Sequence, residues 1–551
     1  MPVGEEGGSM NLALNKPVTA NKTEASSSAG FCVDGDTSTN WNAGDFAPAT
    51  LTIDLQVVSQ IENVLLLVAQ QPAGATTHVV SFGDNDGNYQ QAHVFDESTE
   101  NGQWLEFEPS SSPGPGPGPG PVSTLPRGLD WVRNNPMFIS GLTVSTDFPS
   151  AAEVNIYYDQ FNATAAHFWN DGITDALVGW EAANHPKGRW LTWVRDDGTA
   201  MNNEVIGGLG PNPPGRIGYQ VGDEPGLHGN GMEELQEMEV GVNAVRAADP
   251  DALIIINFSF WAEDFLELLD YFGAHMDADI YCYDRYSLGY NEHETLAQVR
   301  TSALKHNRPY WRYLKSYYDV GASNNQHPSD YRWSAFLGLV YGYTGHTWFV
   351  YQAKAPHDVA SDLFPAQGGL GLQKLEPFTV VAELNTQMAH LGRAITQLTS
   401  TDVRYVPGQT LYLPDGLVAW APGAGSDPFL ANIEVQENSL FEVRDLAVGF
   451  FSDDAGETYV MIQNQQHKGA QFPIDNLKES TVELTFHFDG APPTIDKTKV
   501  LMLDHVTGNQ IELSLQDLGD GTRKLTHSLA AGDPVFFKYA TGTPFPLGPA
   551  N

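Results

Sequence analysis

The sequence predicts a multidomain protein organised around a central (β/α)8 TIM barrel, with a β-sandwich before it and an antiparallel β-sandwich after it. Three observations predict this. Between about Leu125 and Ser400, short apolar runs of strand length alternate with amphipathic or loop segments, and eight such runs can be counted. Before that stretch lies Ser110–Pro121, where Pro and Gly alternate and neither helix nor sheet can continue. On either side of these segments the chain reads as β-runs separated by Gly, Asn, Asp and Pro turns.

At 551 residues the chain exceeds one compact domain, and 12 Trp, 21 Tyr and 27 Phe are enough for sizeable cores. The 68 Asp and Glu against 28 Lys and Arg leave a formal charge of -40. Such a surface repels nucleic acid and anionic membranes and fits solubility in a saline setting, so neither is expected as a partner. Cys32 and Cys282 are far apart and apolar-flanked, which reads as two free core thiols. The N-terminus shows no basic segment followed by an apolar one, and no run is long enough to span a bilayer. A secreted, cell-surface or periplasmic protein without its signal peptide is the expectation, and a monomer.

Residues 11–109 form the first predicted domain, with strand-like runs at Ala49–Leu55, Val64–Val68 and His78–Phe82. The segments Asn11–Ala20, Val33-Asp-Gly-Asp-Thr-Ser-Thr-Asn-Trp41 and Leu51–Leu55 together resemble a discoidin domain, the fold of family 32 carbohydrate-binding modules. That resemblance implies a structural calcium at Asp34, Asp36 and Thr39, and hard oxygens on a tight glycine turn suit the ion. An Asx-rich turn without metal is the other reading of the same residues. The module ends early, at Trp104–Pro109; His78, Asn88 and Trp104 are its exposed candidates. The linker, residues 110–124, spans about 20 to 30 Å and tethers one folded unit to the next.

In residues 125–400 the eight runs are Met137–Val144, Ala163–Trp169, Trp190–Val194, Ile217–Val221, Ala252–Phe258, Asp279–Tyr283, Pro309–Leu314 and Gly345–Tyr351. Helix-like runs include Met232–Arg246 and Ser329–Leu339. The fourth run ends in Gly222-Asp-Glu-Pro225; Pro225 cannot continue the ladder, so Asp223 and Glu224 belong at the C-terminal lip, where such barrels place their chemistry. Alternation along a strand turns only one of the two squarely inward, and Glu224 is the choice. Other strand ends add His167, Trp169 and Asp171; Asn257; Asp284 and Tyr286; Lys315; and Trp348, Tyr351 and Gln352. Carboxylates, amides and aromatics on one rim are what a sugar site requires: ring faces, hydroxyl partners and two acids.

The Gly-Asp-Glu-Pro motif, Tyr283-Asp-Arg-Tyr286 and the aromatic-rich eighth run resemble the (β/α)8 glycoside hydrolases. The resemblance to the Asn-Glu-Pro motif of the clan that includes family 42 β-galactosidases implies Glu224 as general acid/base. That clan's nucleophile is a Glu ending strand seven, where this chain offers Tyr313, Lys315 and Ser316. Asp284 is therefore taken as nucleophile or base, with Asp223 as a third catalytic candidate, since adjacent acids serve substrate-assisted hexosaminidases. His167, Trp169, Asn257, Tyr286, Lys315, Trp348, Tyr351 and Gln352 are substrate-binding candidates; catalysis needs no cofactor. Residues 401–551 carry β-runs at Leu417–Ala421, Tyr459–Gln463, Val482–Phe488, Lys499–Leu503, Gln510–Leu513 and Asp533–Tyr539. The reading is a glycoside hydrolase acting on a polysaccharide or oligosaccharide, against a glycan-binding or adhesion protein with a degenerate barrel.

Overall fold

The computed structural model describes residues 12–14, 16–44, 49–55, 64–69, 74–83, 89–107, 125–143, 151–169, 182–194, 212–227, 229–289, 291–319, 326–352, 359–364, 374–408, 413–436, 445–468, 479–519 and 521–550. The chain divides into two compact units, Met1–Val122 and Ser123–Asn551. The Pro-Gly linker, Asn88 and Asp171 lie outside the described residues.

In the first unit, Val18–Ala20 pairs with Leu51–Ile53, Val64–Val68 with Gln103–Phe107, and Gly74–Gly83 with Tyr89–Thr99, all antiparallel. Val68, Phe95 and Leu105 form a small core. Cys32 is exposed rather than buried, because the 3-10 turn Ala29–Cys32 that carries it has no buried residue.

The second unit holds a closed, all-parallel barrel of eight strands. In chain order they are β1 (Phe138–Thr143), β2 (Ala166–Phe168), β3 (Trp190–Val194), β4 (Arg216–Val221), β5 (Leu253–Ser259), β6 (Ile280–Asp284), β7 (Tyr310–Lys315) and β8 (Gly345–Gln352). The helices beside it include α1 (Arg127–Asn134), α2 (Gly231–Ala248), α3 (Phe265–His275), α4 (Asn291–Lys305), α5 (Pro328–Tyr341) and α6 (Glu376–Ile395). β5, Leu-Ile-Ile-Ile-Asn-Phe-Ser, is buried at every position, as a parallel strand covered on both faces must be. Its Leu253 and Ile255 face the barrel interior, while Ile254, Ile256 and Phe258 join the outer core. The interior is packed from the floor: Phe138 stacks on Trp311 at 4.2 Å, and Trp131 of α1 approaches the same indole at 5.8 Å.

Beyond the barrel, Thr399–Val406, Leu446–Ser452, Thr458–Asn464, Pro534–Tyr539, Lys499–Leu503 and Gln510–Ser514 form a six-stranded antiparallel sheet in that order. Leu430–Val435, Ser480–His487, Thr522–Leu529 and Gln516–Asp517 form a four-stranded one, and side chains of both sheets share a core that includes Val448, Ile462, Leu484, Phe486 and Phe537. The run Leu417–Ala421 is not a regular strand. Only an isolated bridge joins Ala419 to Tyr405, and Val418 is exposed. α5 lies between barrel and sheet: its Trp333 indole donates to Gln465 Oε1 (2.8 Å) and stacks on His467 at 4.2 Å, while His467 Nδ1 meets Asp330 Oδ1 at 3.0 Å.

A buried ion pair ties β7 to α4. Arg312 Nη2 donates to Glu292 Oε1 at 2.6 Å, and the Tyr283 hydroxyl donates to the same oxygen at 2.9 Å. Both charges are fully enclosed, so removing Arg312 leaves the buried Glu292 with only Arg285, 4.0 Å away, as a counter-charge. Arg312→Met is expected to lower unfolding free energy by about 3 to 5 kcal/mol in a urea titration, and a loss below about 1 kcal/mol would contradict this.

Candidate active site

β4 ends where its backbone stops alternating. Gly222 takes φ +66°, and a Cβ there would lie 2.8 Å from Met238 of α2, so glycine is required. Two residues later Glu224 takes φ +45°, a left-handed conformation that a non-glycine residue holds only when its surroundings enforce it. Its N–H donates to the Asn257 carbonyl at 2.8 Å and its carbonyl accepts from Leu227 N–H at 3.1 Å, which fixes the turn. The expectation that alternation sends only one carboxylate inward fails here, because the chain has left the strand: both acids approach Asp284.

Asp223 is the more tightly held. Its Oδ1 accepts from Asn257 Nδ2 (2.9 Å) and Gln220 Nε2 (3.1 Å), and Gln220 Oε1 in turn accepts from the Tyr313 hydroxyl (2.6 Å). Asp284, at the end of β6, adjoins the Glu224 carboxyl and the Tyr286 hydroxyl. Burial, then the neighbouring carboxylates, push the Asp284 carboxyl well above its ordinary range. Burial and then Glu224 raise Asp223 likewise, opposed by its two amide donors. Both shifts favour the neutral form of the buried carboxyl.

Two aromatic walls flank the acids. Just past the end of β2, Trp169 stacks on Trp193 of β3 at 5.7 Å. Across the barrel, Tyr286 stacks on Phe349 at 5.4 Å and meets the edge of Tyr317 at 5.2 Å, while Lys315 Nζ lies 5.0 Å from the Tyr317 ring. His167 Nδ1 is 3.3 Å from Thr347 Oγ1, and burial draws its imidazole down to about 3, opposed by Gln220, so the ring is neutral. Four buried polar atoms here have no hydrogen-bond partner: His167 Nε2, Trp193 Nε1, Asn257 Oδ1 and Asp284 Oδ1. The set mixes donor and acceptor character, which hydroxyl groups can satisfy because they do both.

The structure thus brings together Asp223, Glu224, Asp284, Asn257, Tyr286, His167, Trp169 and Lys315 on the inner face or lip of the barrel. It does not bring Trp348 or Tyr351 there. Trp348 points into the helical layer, donating from Nε1 to Asn385 Oδ1 of α6 at 2.7 Å, and Tyr351 packs on Tyr157, Phe161 and Phe364. The inward residues of β8 are Thr347 and Phe349; Trp348 is one step out of phase with them, while Tyr351 shares their phase and is turned outward across the register irregularity between Trp348 and Gln352. Gln352 is buried at the end of β8, in register with Thr143. Gln220, Tyr313 and Phe349 belong to the site although the sequence reading assigns none of them a role there; parity along β7 and β8 finds Tyr313 and Phe349, whereas the register irregularity between Arg216 and Gly218 hides Gln220. In the first unit, Thr39 Oγ1 donates to Asp34 Oδ2 (2.8 Å), and Asp36 N–H donates to Asp34 Oδ1 (2.9 Å). The Asp36 carboxylate accepts from Ser38 N–H (2.9 Å) and Ser38 Oγ (2.7 Å) instead, the bonding of an Asx-rich turn.

No family model matches the chain, and no curated protein matches it. Solved structures similar to it include a GH30 endoxylanase from Clostridium papyrosolvens C71 (10% identity, 73% of this chain and 96% of that one, TM-score 0.39). Others are a family 39 glycoside hydrolase from Bacteroides cellulosilyticus WH2 (10% identity, 87% and 98%, TM-score 0.39) and an endo-beta-1,4-mannanase from Thermotoga petrophila (12%, 72% and 97%, TM-score 0.34). Side chains at the barrel mouth, rather than these likenesses, carry the chemistry.

A carboxyl whose folded-state pKa is raised contributes stability at low pH that is lost as pH rises through that value. Asp284→Asn is therefore expected to be more stable than the wild type at pH 8, on the order of 1 kcal/mol or more, with the difference vanishing near pH 4. Thermal unfolding across that range measures it, and a pH-independent difference would contradict it.

Proposed function

We propose that the protein is a glycoside hydrolase that cleaves O-glycosidic bonds of a polysaccharide or oligosaccharide. The observation that carries this is the Glu224–Asp284 contact within a mouth whose unpartnered polar atoms match hydroxyl groups. In the resting site burial and the neighbouring carboxyls favour the neutral form of Asp284. When a sugar enters, positive charge developing at its anomeric carbon favours ionised Asp284, leaving the proton on Glu224, which donates it to the departing oxygen. Asp284 then serves as nucleophile or as the base that activates a water. Asp223, fixed by Asn257 and Gln220, orients Glu224 and the substrate through its remaining oxygen. Trp169 and Tyr286 supply ring faces; His167, Asn257 and Lys315 meet hydroxyls.

The discoidin-like first unit fits a carbohydrate-binding module of a secreted enzyme, the acidic surface fits marine glycans, and the two C-terminal sheets fit a supporting sandwich. The Asp34, Asp36 and Thr39 oxygens would hold calcium there. Calcium after chelation is then expected to raise the melting temperature of the wild type and not of Asp34→Ala; no shift in either leaves a self-bonded turn.

Reducing-sugar release from plant, animal and algal polysaccharides tests the chemistry. Glu224→Gln is expected to lose about 10² or more on natural glycans while keeping more activity on aryl glycosides, whose leaving group needs no proton. Asp284→Asn is expected to lose both. Full activity in Glu224→Gln overturns the assignment, and binding without turnover in the wild type favours the degenerate-barrel reading.

A further inference from the structure

Among the described residues of the second unit, Trp261 is the one exposed Trp, Tyr or Phe side chain, at 71%. An indole left in water forgoes the burial that every other described Trp, Tyr and Phe of the unit has at least in part. Its position ties that exposed ring to the site. Trp261 follows β5 directly, on the same C-terminal lip as Glu224 and Asp284, and its ring leans on Phe260 with centroids 4.4 Å apart. Phe260 is covered in turn by the Arg285 guanidinium, 4.1 Å from its centroid, and Arg285 is the residue after Asp284.

The stack is fixed from below. Arg285 Nη1 donates to Thr295 Oγ1 (2.6 Å) and its Nε to Ser287 Oγ (3.2 Å). The turn after Glu224 also meets this loop closely, since a Cβ on Gly226 would lie 2.6 Å from the Ala262 Cβ. Arg285, Phe260 and Trp261 thus form a graded pile that begins inside the protein and ends in an indole open to solvent. A pre-ordered aromatic face needs little further ordering to bind a flat, weakly polar partner.

We propose that Trp261 is the platform of an outer subsite that stacks a pyranose unit of a polymeric glycan beyond the bond being cleaved. The inference rests on the glycan-cleaving reading of the barrel mouth and adds chain-length selectivity to it: polymers engage the platform, and single-sugar aryl glycosides do not reach it.

The test compares wild type, Trp261→Ala and Trp261→Phe on a polysaccharide that the wild type hydrolyses and on the matching p-nitrophenyl glycoside. For Trp261→Ala, kcat/KM on the polymer is expected to fall about tenfold through KM, with kcat on the aryl glycoside unchanged and Trp261→Phe recovering part of the loss. Unchanged polymer kinetics, or equal losses on both substrates with a lowered melting temperature, overturn the platform while leaving the hydrolase reading intact. If the wild type cleaves nothing, the hydrolase reading fails, and native-gel retardation in soluble xylan, galactomannan and laminarin decides the platform. Retardation lost in Trp261→Ala supports it; retardation retained, or none in the wild type, overturns it.

Discussion

A closed parallel sheet admits side chains to its interior from alternate residues only, and this parity constrains everything at the mouth. Leu253 and Ile255 fill the barrel, so Asn257 is the next β5 residue to face it; Ile280 and Cys282 fill it, so Asp284 follows on β6. Trp311 and Tyr313 do the same below Lys315. Chemistry begins where the apolar filling stops, at one level on several strands, without any strand having to bend toward its neighbour. β4 is the exception, because Gly222 and Glu224 turn left-handed and deliver two acids where parity would deliver one.

That exception sets the electrostatics. Asp223 is held by two amides, one of them aligned by the Tyr313 hydroxyl, so its orientation is rigid and its proton affinity high. Asp284 has fewer donors and a carboxyl neighbour instead. Burial and neighbouring carboxyls thus act in the same direction on Asp223 and Asp284, favouring their neutral forms. The buried Arg312–Glu292 pair, on the outward side of β7 and α4, anchors the helical layer behind the strands that carry Asp284 and Lys315.

Much of the barrel was legible in the sequence because its strands are short apolar runs ended by polar residues or proline. Trp190–Val194 matches its predicted span, and the other seven runs overlap theirs. The acids were legible because Pro225 ends β4. Strand phase was not: in Gly-His-Thr-Trp-Phe-Val-Tyr both phases present aromatics, and only packing against Asn385 and Phe161 decides that Trp348 and Tyr351 face outward. Leu430–Val435 and Thr522–Leu529 leave no apolar run to read, because their few buried positions lie three or four residues apart. Left-handed φ at Glu224 has no local signature either, since tertiary hydrogen bonding imposes it.

α5 has a consequence for how this molecule can be divided. One side of the helix packs on β7 and the other on the strands Leu446–Ser452 and Thr458–Asn464, and the Gln463 amide donates to the Trp333 carbonyl at 2.9 Å. Gly449 approaches the helix so closely that a Cβ would lie 2.1 Å from the Val340 carbonyl oxygen. The C-terminal sheets are therefore not an exchangeable attachment in the way a tethered module is. Cutting the chain after the barrel would strip one whole side of a core helix, so barrel and sheets share one inheritance: neither can be lost, swapped or acquired without redesigning the other.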